Sequence, residues 1–210
     1  MLSFLAAAAI LAAPTGGQEF DGSSEPIRGQ VRERIVGSSW ERGCPVGLDK
    51  LRLLRLDHIG FDGDVHRGRL VVHARYDDRI IAVFRRLFRI GYPIRRMELI
   101  DRYGADDRRS MAADNTSAFN CRFVAGTSRW SMHAYGKAID INPVENPYVS
   151  GSHVSPPAGE PFADRSRDAR GMLHAGDEVV EAFARKAGWE WGGAWPGTTK
   201  DYQHFSANGR

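Results

Sequence analysis

Cysteine is scarce in this chain: Cys44 and Cys121 are the only two in 210 residues. That excludes the paired C-x-x-C ligand sets of a structural zinc finger and leaves one possible disulfide connectivity. Three catalytic signatures are also missing. There is no H-E-x-x-H helix, no G-x-S-x-G nucleophile elbow and no P-loop, which removes the chemistries those motifs carry. The apolar run from Leu2 through Ala13 falls short of the roughly 20 residues that a permanent membrane span requires. Charge of one sign is not in large excess either. The formal net charge is +3, acidic residues are interleaved among the arginines, and no aromatic–basic motif accompanies them, so no nucleic-acid partner is expected.

What the chain does contain is the run Ser131-Met132-His133-Ala134-Tyr135-Gly136-Lys137-Ala138-Ile139-Asp140-Ile141-Asn142-Pro143. Alternation from Lys137 to Asn142 predicts a strand with Ile139 and Ile141 on one face and Ala138, Asp140 and Asn142 on the other. A carboxylate in so apolar a strand is costly to bury unless it is paired or bound to a metal. Gly136 permits the backbone angles that would fold His133 back beside Asp140. A nitrogen and an oxygen ligand do not complete a zinc site, and His204, in Lys200-Asp201-Tyr202-Gln203-His204-Phe205, offers a third donor. Zinc held by three protein ligands keeps one position open for water. Asp201 stands one turn ahead of His204, where its carboxylate could face the same cavity and take a proton from that water. His58, His66, His73, His153 and His174 have no ligand spacing and read as surface or packing residues.

These two segments resemble the zinc D-alanyl-D-alanine carboxypeptidase and L-alanyl-D-glutamate endopeptidase family of peptidoglycan peptidases, which includes vancomycin-resistance-type enzymes and phage endolysins. Ser131, His133, Gly136, Ala138 and Asp140 meet every fixed position of its pattern S-x-H-x-x-G-x-A-x-D. Asp201 and His204 meet its second element, an acidic residue, two spacers and a histidine. The resemblance spans about Cys44 to Phe205. It implies that His133, Asp140 and His204 bind Zn2+ and that Asp201 is the catalytic base. Many members have glutamate at the base position, and the shorter aspartate here reads as variation within the family. The H-x-H pair of lysostaphin-like zinc endopeptidases is absent, since Phe205 and Ser206 follow His204. An arginine upstream of the first motif contacts the substrate carboxylate or the attacked carbonyl in this family. Arg122 is the candidate, catalytic and substrate-binding, with Arg129 as its rival, because a guanidinium near a metal can stabilise an oxyanion. Ser131 is expected to orient the substrate or His133.

The organisation expected is a signal peptide over 1–17, a polar linker over 18–39 and a zinc peptidase domain over 40–210. No Lys or Arg precedes the apolar run, which departs from the usual signal pattern, and a buried N-terminal helix is the alternative. The turn-rich Asp21-Gly22-Ser23-Ser24-Glu25-Pro26 motivates the linker. Export places Cys44 and Cys121 in an oxidising compartment, where they are expected to pair; in the cytosol they would be two buried thiols. Arg69 to Ala74 and Met97 to Ile100 read as strands. A helix is expected to begin at Asp77 and Asp78, bury Ile80, Ile81, Phe84, Leu87 and Phe88, and stop at Gly91 and Pro93. A second helix is expected from Asp177, as its cap, to Ala187, followed by a strand at Trp189-Glu190-Trp191. The stretch from Asn146 to Asp168 reads as an irregular insertion near the cleft. The fold class is therefore α+β: a single compact domain with a small antiparallel sheet flanked by helices and a zinc site in a cleft. The function expected is zinc-dependent hydrolysis of peptide bonds in peptidoglycan stem peptides by a secreted or wall-associated monomer. Neither carboxypeptidase nor endopeptidase action is selected. A catalytically inactive zinc-containing wall-binding protein is the alternative.

Overall fold

The computed structural model describes residues 18–209, and the signal peptide expected over 1–17 lies outside them. The first sheet has the order β1-β2-β3, all antiparallel, from β1 (Gly22–Pro26), β2 (Leu51–Ile59) and β3 (Val65–His73). Helix α1 (Gly29–Ile35) follows β1, and helix α2 (Asp77–Arg89) follows β3. Helix α2 buries Ile80, Ile81, Val83, Phe84, Leu87 and Phe88, the expected stripe, against Leu54, Leu56, Leu70 and Val72 of the sheet. Asp77 and Asp78 lie in its first turn and Arg86 and Arg89 in its last, so its charges complement the helix dipole. The other sheet face presents Leu51, Leu53 and Val71 to Ile27, Ile35 and Phe119 in a second, smaller core.

The next elements are β4 (Arg96–Met97), α3 (Asp107–Ala112) and β5 (Asn115–Thr116), with β4 and β5 pairing in parallel. The strand expected at Met97–Ile100 ends at Met97 and gives way to a 3-10 turn over Ile100–Tyr103. Strand β6 (Ala138–Asp140) carries the second half of the His133 motif. Strands β7 (Tyr148–Ser150) and β8 (His153–Ser155) form a hairpin inside the stretch expected to be irregular. Three-residue strands have too few positions to show a period, which is why alternation did not reveal them.

Helix α4 (Glu178–Ala182) runs into a π turn over Phe183–Ala187, which ends at Gly188. Asp177 precedes it but does not cap it: its carboxylate accepts from the His174 backbone N–H instead. Strands β9 (Glu190–Trp191), β10 (Thr199–Asp201) and β11 (His204–Ser206) complete the chain order. They build two further antiparallel sheets, β10-β7-β8 and β6-β11-β9. The class is α+β as expected, with helices on small antiparallel sheets.

The segment 18–39 is not a linker. Strand β1 pairs with β2 from Gly22↔Leu56 to Pro26↔Arg52, and α1 buries Ile35 completely. Its polar composition is that of an edge strand and a half-exposed helix, which bury only part of each residue set and so resemble a linker in composition. Cys44 and Cys121 are disulfide-bonded, which ties the segment before β2 to the segment before the metal motif.

Candidate metal centre

The pairing of β6 with β11 brings two of the candidate donors together. The register sets His204 opposite Asp140 and Phe205 opposite Ile139, so alternation turns the polar pair to one face and the apolar pair to the other. Phe205 stacks on Phe183 with ring centroids 4.0 Å apart and anchors that face in the main core. His133 arrives from a 3-10 turn over Met132–Tyr135. Ser131 precedes this turn, and its Oγ accepts from the His133 backbone N–H at 3.3 Å. Gly136 closes the turn with φ of +64°. Its carbonyl accepts from His73 N–H at 2.8 Å, which fastens the turn to the end of β3.

The three side chains converge on one point and are all buried. His133 Nε2 lies 3.2 Å from Asp140 Oδ2, His204 Nδ1 lies 2.9 Å from Asp140 Oδ1, and the two imidazole nitrogens are 3.3 Å apart. One donor atom from each residue lies within 4.8 Å of the other two. The 3.3 Å between the imidazole nitrogens matches the roughly 3.3 Å that bonds of about 2.0–2.1 Å set between tetrahedral zinc ligands, so the donor set suits such an ion. The other nitrogen of His133, Nδ1, lies 2.5 Å from the Ala118 carbonyl. A carbonyl only accepts, so Nδ1 donates there and Nε2 is the nitrogen turned inward toward Asp140 and His204, the usual orientation of a ligand histidine. Burial alone would raise the Asp140 carboxyl, but His133 and His204 override it and hold it well below the usual carboxylate range. Burial opposes charge on His204 as well, and the hydrogen bond to Asp140 outweighs it, leaving that imidazole raised.

Asp201 ends β10, with Tyr202 and Gln203 between it and β11. Its Oδ1 is buried with no hydrogen-bond partner. Burial pushes its pKa up to about 6, with the His204 and His133 charges opposing and Asp140 and Asp107 adding to the rise. Arg122 Nη2 pairs with Asp107 Oδ2 at 2.8 Å, while its Nε is buried without a partner. The guanidinium is near enough for its charge to act on His204. Arg129 is exposed and, among the described residues, has no ion pair. The structure thus gathers His133, Asp140, His204 and Asp201 and sets Ser131 and Arg122 beside them. Asp107 was missed in the sequence, since nothing in Asp106-Asp107-Arg108-Arg109 links it to a motif so far along the chain.

Fold and donor set together define an α+β protein with a buried His/Asp/His group able to bind a metal ion. Residues 125–207 match the family model described as D-alanyl-D-alanine carboxypeptidase. The match supports the family that the two motifs resemble and supports a peptidase. It covers Ser131, His133, Asp140, Asp201 and His204, and leaves Arg122 and the first sheet outside. No curated protein and no solved structure gives a significant match to the chain. Among the described residues no helix is long and apolar enough to cross a membrane.

Proposed function

We propose that this protein is a zinc-dependent hydrolase of peptide bonds in peptidoglycan stem peptides, acting outside the cell. The observation that carries this reading is the buried, partnerless Oδ1 of Asp201, a carboxyl within electrostatic reach of the three converging donors His204, Asp140 and His133. His133, Asp140 and His204 would hold the ion through Nε2, a carboxylate oxygen and Nδ1. Zinc bound there would supply Lewis acidity and would lower the pKa of the attacking water. Asp201 accepts the proton from the attacking water and returns it to the leaving amine. Arg122 donates to the carbonyl oxygen as negative charge develops on it. Asp107 holds the guanidinium in place.

A wall-binding protein that keeps the metal without turnover would have no use for a carboxylate at position 201. Zinc-loaded protein incubated with purified peptidoglycan and with defined stem peptides, read by mass spectrometry, separates the two. Asp201→Asn should lower the cleavage rate by about 10²–10⁴-fold with zinc content unchanged. Metal-replete wild type that releases no fragment from any wall peptide sinks the enzyme reading.

A further inference from the structure

An open groove of about 610 Å³ lies between α1 and the polar end of the first sheet. Arg28, Arg34, Arg55 and Arg69 line it, together with a single acid, Glu25, and apolar floor residues such as Leu53. Arg55 and Arg69 are direct cross-strand partners on β2 and β3, an arrangement of like charges that costs stability. Glu25 answers only one of them, contacting Arg55 through Nε and Nη2 at 2.9 Å each. Among the described residues Arg28, Arg34 and Arg69 have no ion pair. Four cations against one acid leave this groove with a local excess of positive charge, on a surface that shares no residue with the metal centre.

We propose that this groove binds a phosphate-bearing polyanion, with the unpaired guanidiniums forking onto phosphate oxygens. Planar guanidinium forks match phosphate geometry and remain charged at any physiological pH. Arg28 and Arg34 are exposed, so the groove is open to solvent and suits a chain passing over it rather than an enclosed metabolite. No aromatic residue lines it, and strands carrying bases are normally gripped through aromatic stacking, which favours a polyol-phosphate polymer over a nucleic acid. The wall as the source of that polymer rests on the peptidase reading; the charge arrangement does not.

The test is titration calorimetry with a short poly(glycerol phosphate) oligomer, with a single-stranded oligonucleotide of equal phosphate number as the second arm. Wild type should bind the oligomer, with affinity falling steadily as salt rises. The double variant Arg28→Gln, Arg69→Gln should bind at least about 10-fold more weakly and with a shallower salt dependence. Glu25→Gln should bind more tightly, and both variants should cleave a small soluble stem peptide like wild type. Unchanged affinity in the arginine variant with its melting temperature preserved, or tighter binding of the oligonucleotide, overturns the proposal. Oligomer binding without any peptidase activity would uphold the groove and defeat the catalytic reading, and activity without binding would do the reverse.

Discussion

Glu145 is a buried carboxyl with a different situation from Asp201. Burial and the neighbouring Asp114 carboxylate raise its pKa to about 7. Arg95 reaches Asp114 at 3.5 Å and Glu145 at 3.3 Å but is itself half shared with the Phe61 ring, 3.7 Å away. Because the folded value lies above the unfolded one of 4.5, the folded state binds the extra proton in between. Stability from this group is therefore complete at and below pH 4.5 and is lost as pH rises through about 7. Glu145→Gln should flatten that decline, so thermal melts at about pH 5 and about pH 8 should differ less in the variant than in wild type. An unchanged difference between the two pH values would show that another group sets it.

At the scale of elements, the turn over Met132–Tyr135 is the piece with least tolerance. A Cβ on Gly136 would sit 2.7 Å from His73 N and 3.1 Å from the Val72 carbonyl carbon, on a backbone already at φ +64°. Gly136→Ala should cost about 1–3 kcal/mol in denaturant unfolding and weaken zinc in a chelator competition, because His133 rides on the displaced turn. Zinc affinity equal to wild type would mean that the turn does not position the donor. The donors and Asp201 were legible in the sequence because each sits in a short motif whose spacing survives in one dimension. Arg122 could be named but its partner Asp107 could not, since an ion pair across different elements leaves no local pattern. Helix α2 was legible because one face is apolar and the other charged. Strand β2 was not, because Leu51, Leu53, Leu54 and Leu56 are buried on both sheet faces and alternation disappears when both sides are covered. Strand β1 failed for the opposite reason: an edge strand with most of its residues exposed looks like a connection.

For the molecule as a whole, the Cys44–Cys121 bond joins partners 77 residues apart and staples the first sheet to the approach of the metal motif. Replacing both cysteines with serine should lower unfolding free energy by roughly 3–5 kcal/mol, measured by chemical denaturation of oxidised wild type against the variant. A variant as stable as wild type would assign the bond no share in holding the two halves together. The two cores meet at one sheet, with α2 on one face and α1 and Phe119 on the other, so the groove proposed for polyanions and the metal centre belong to one framework.

The place of β11 in that framework has a consequence for how the protein is made. Although late in the sequence, it is the middle strand of its sheet, inserted between β6 and β9. Both neighbours leave the ribosome before it and must wait, unpaired with each other, until it arrives. A nascent chain that has not reached Asp201 carries two donors out of three and no proposed base. The full set of three donors thus comes together in one late step of synthesis.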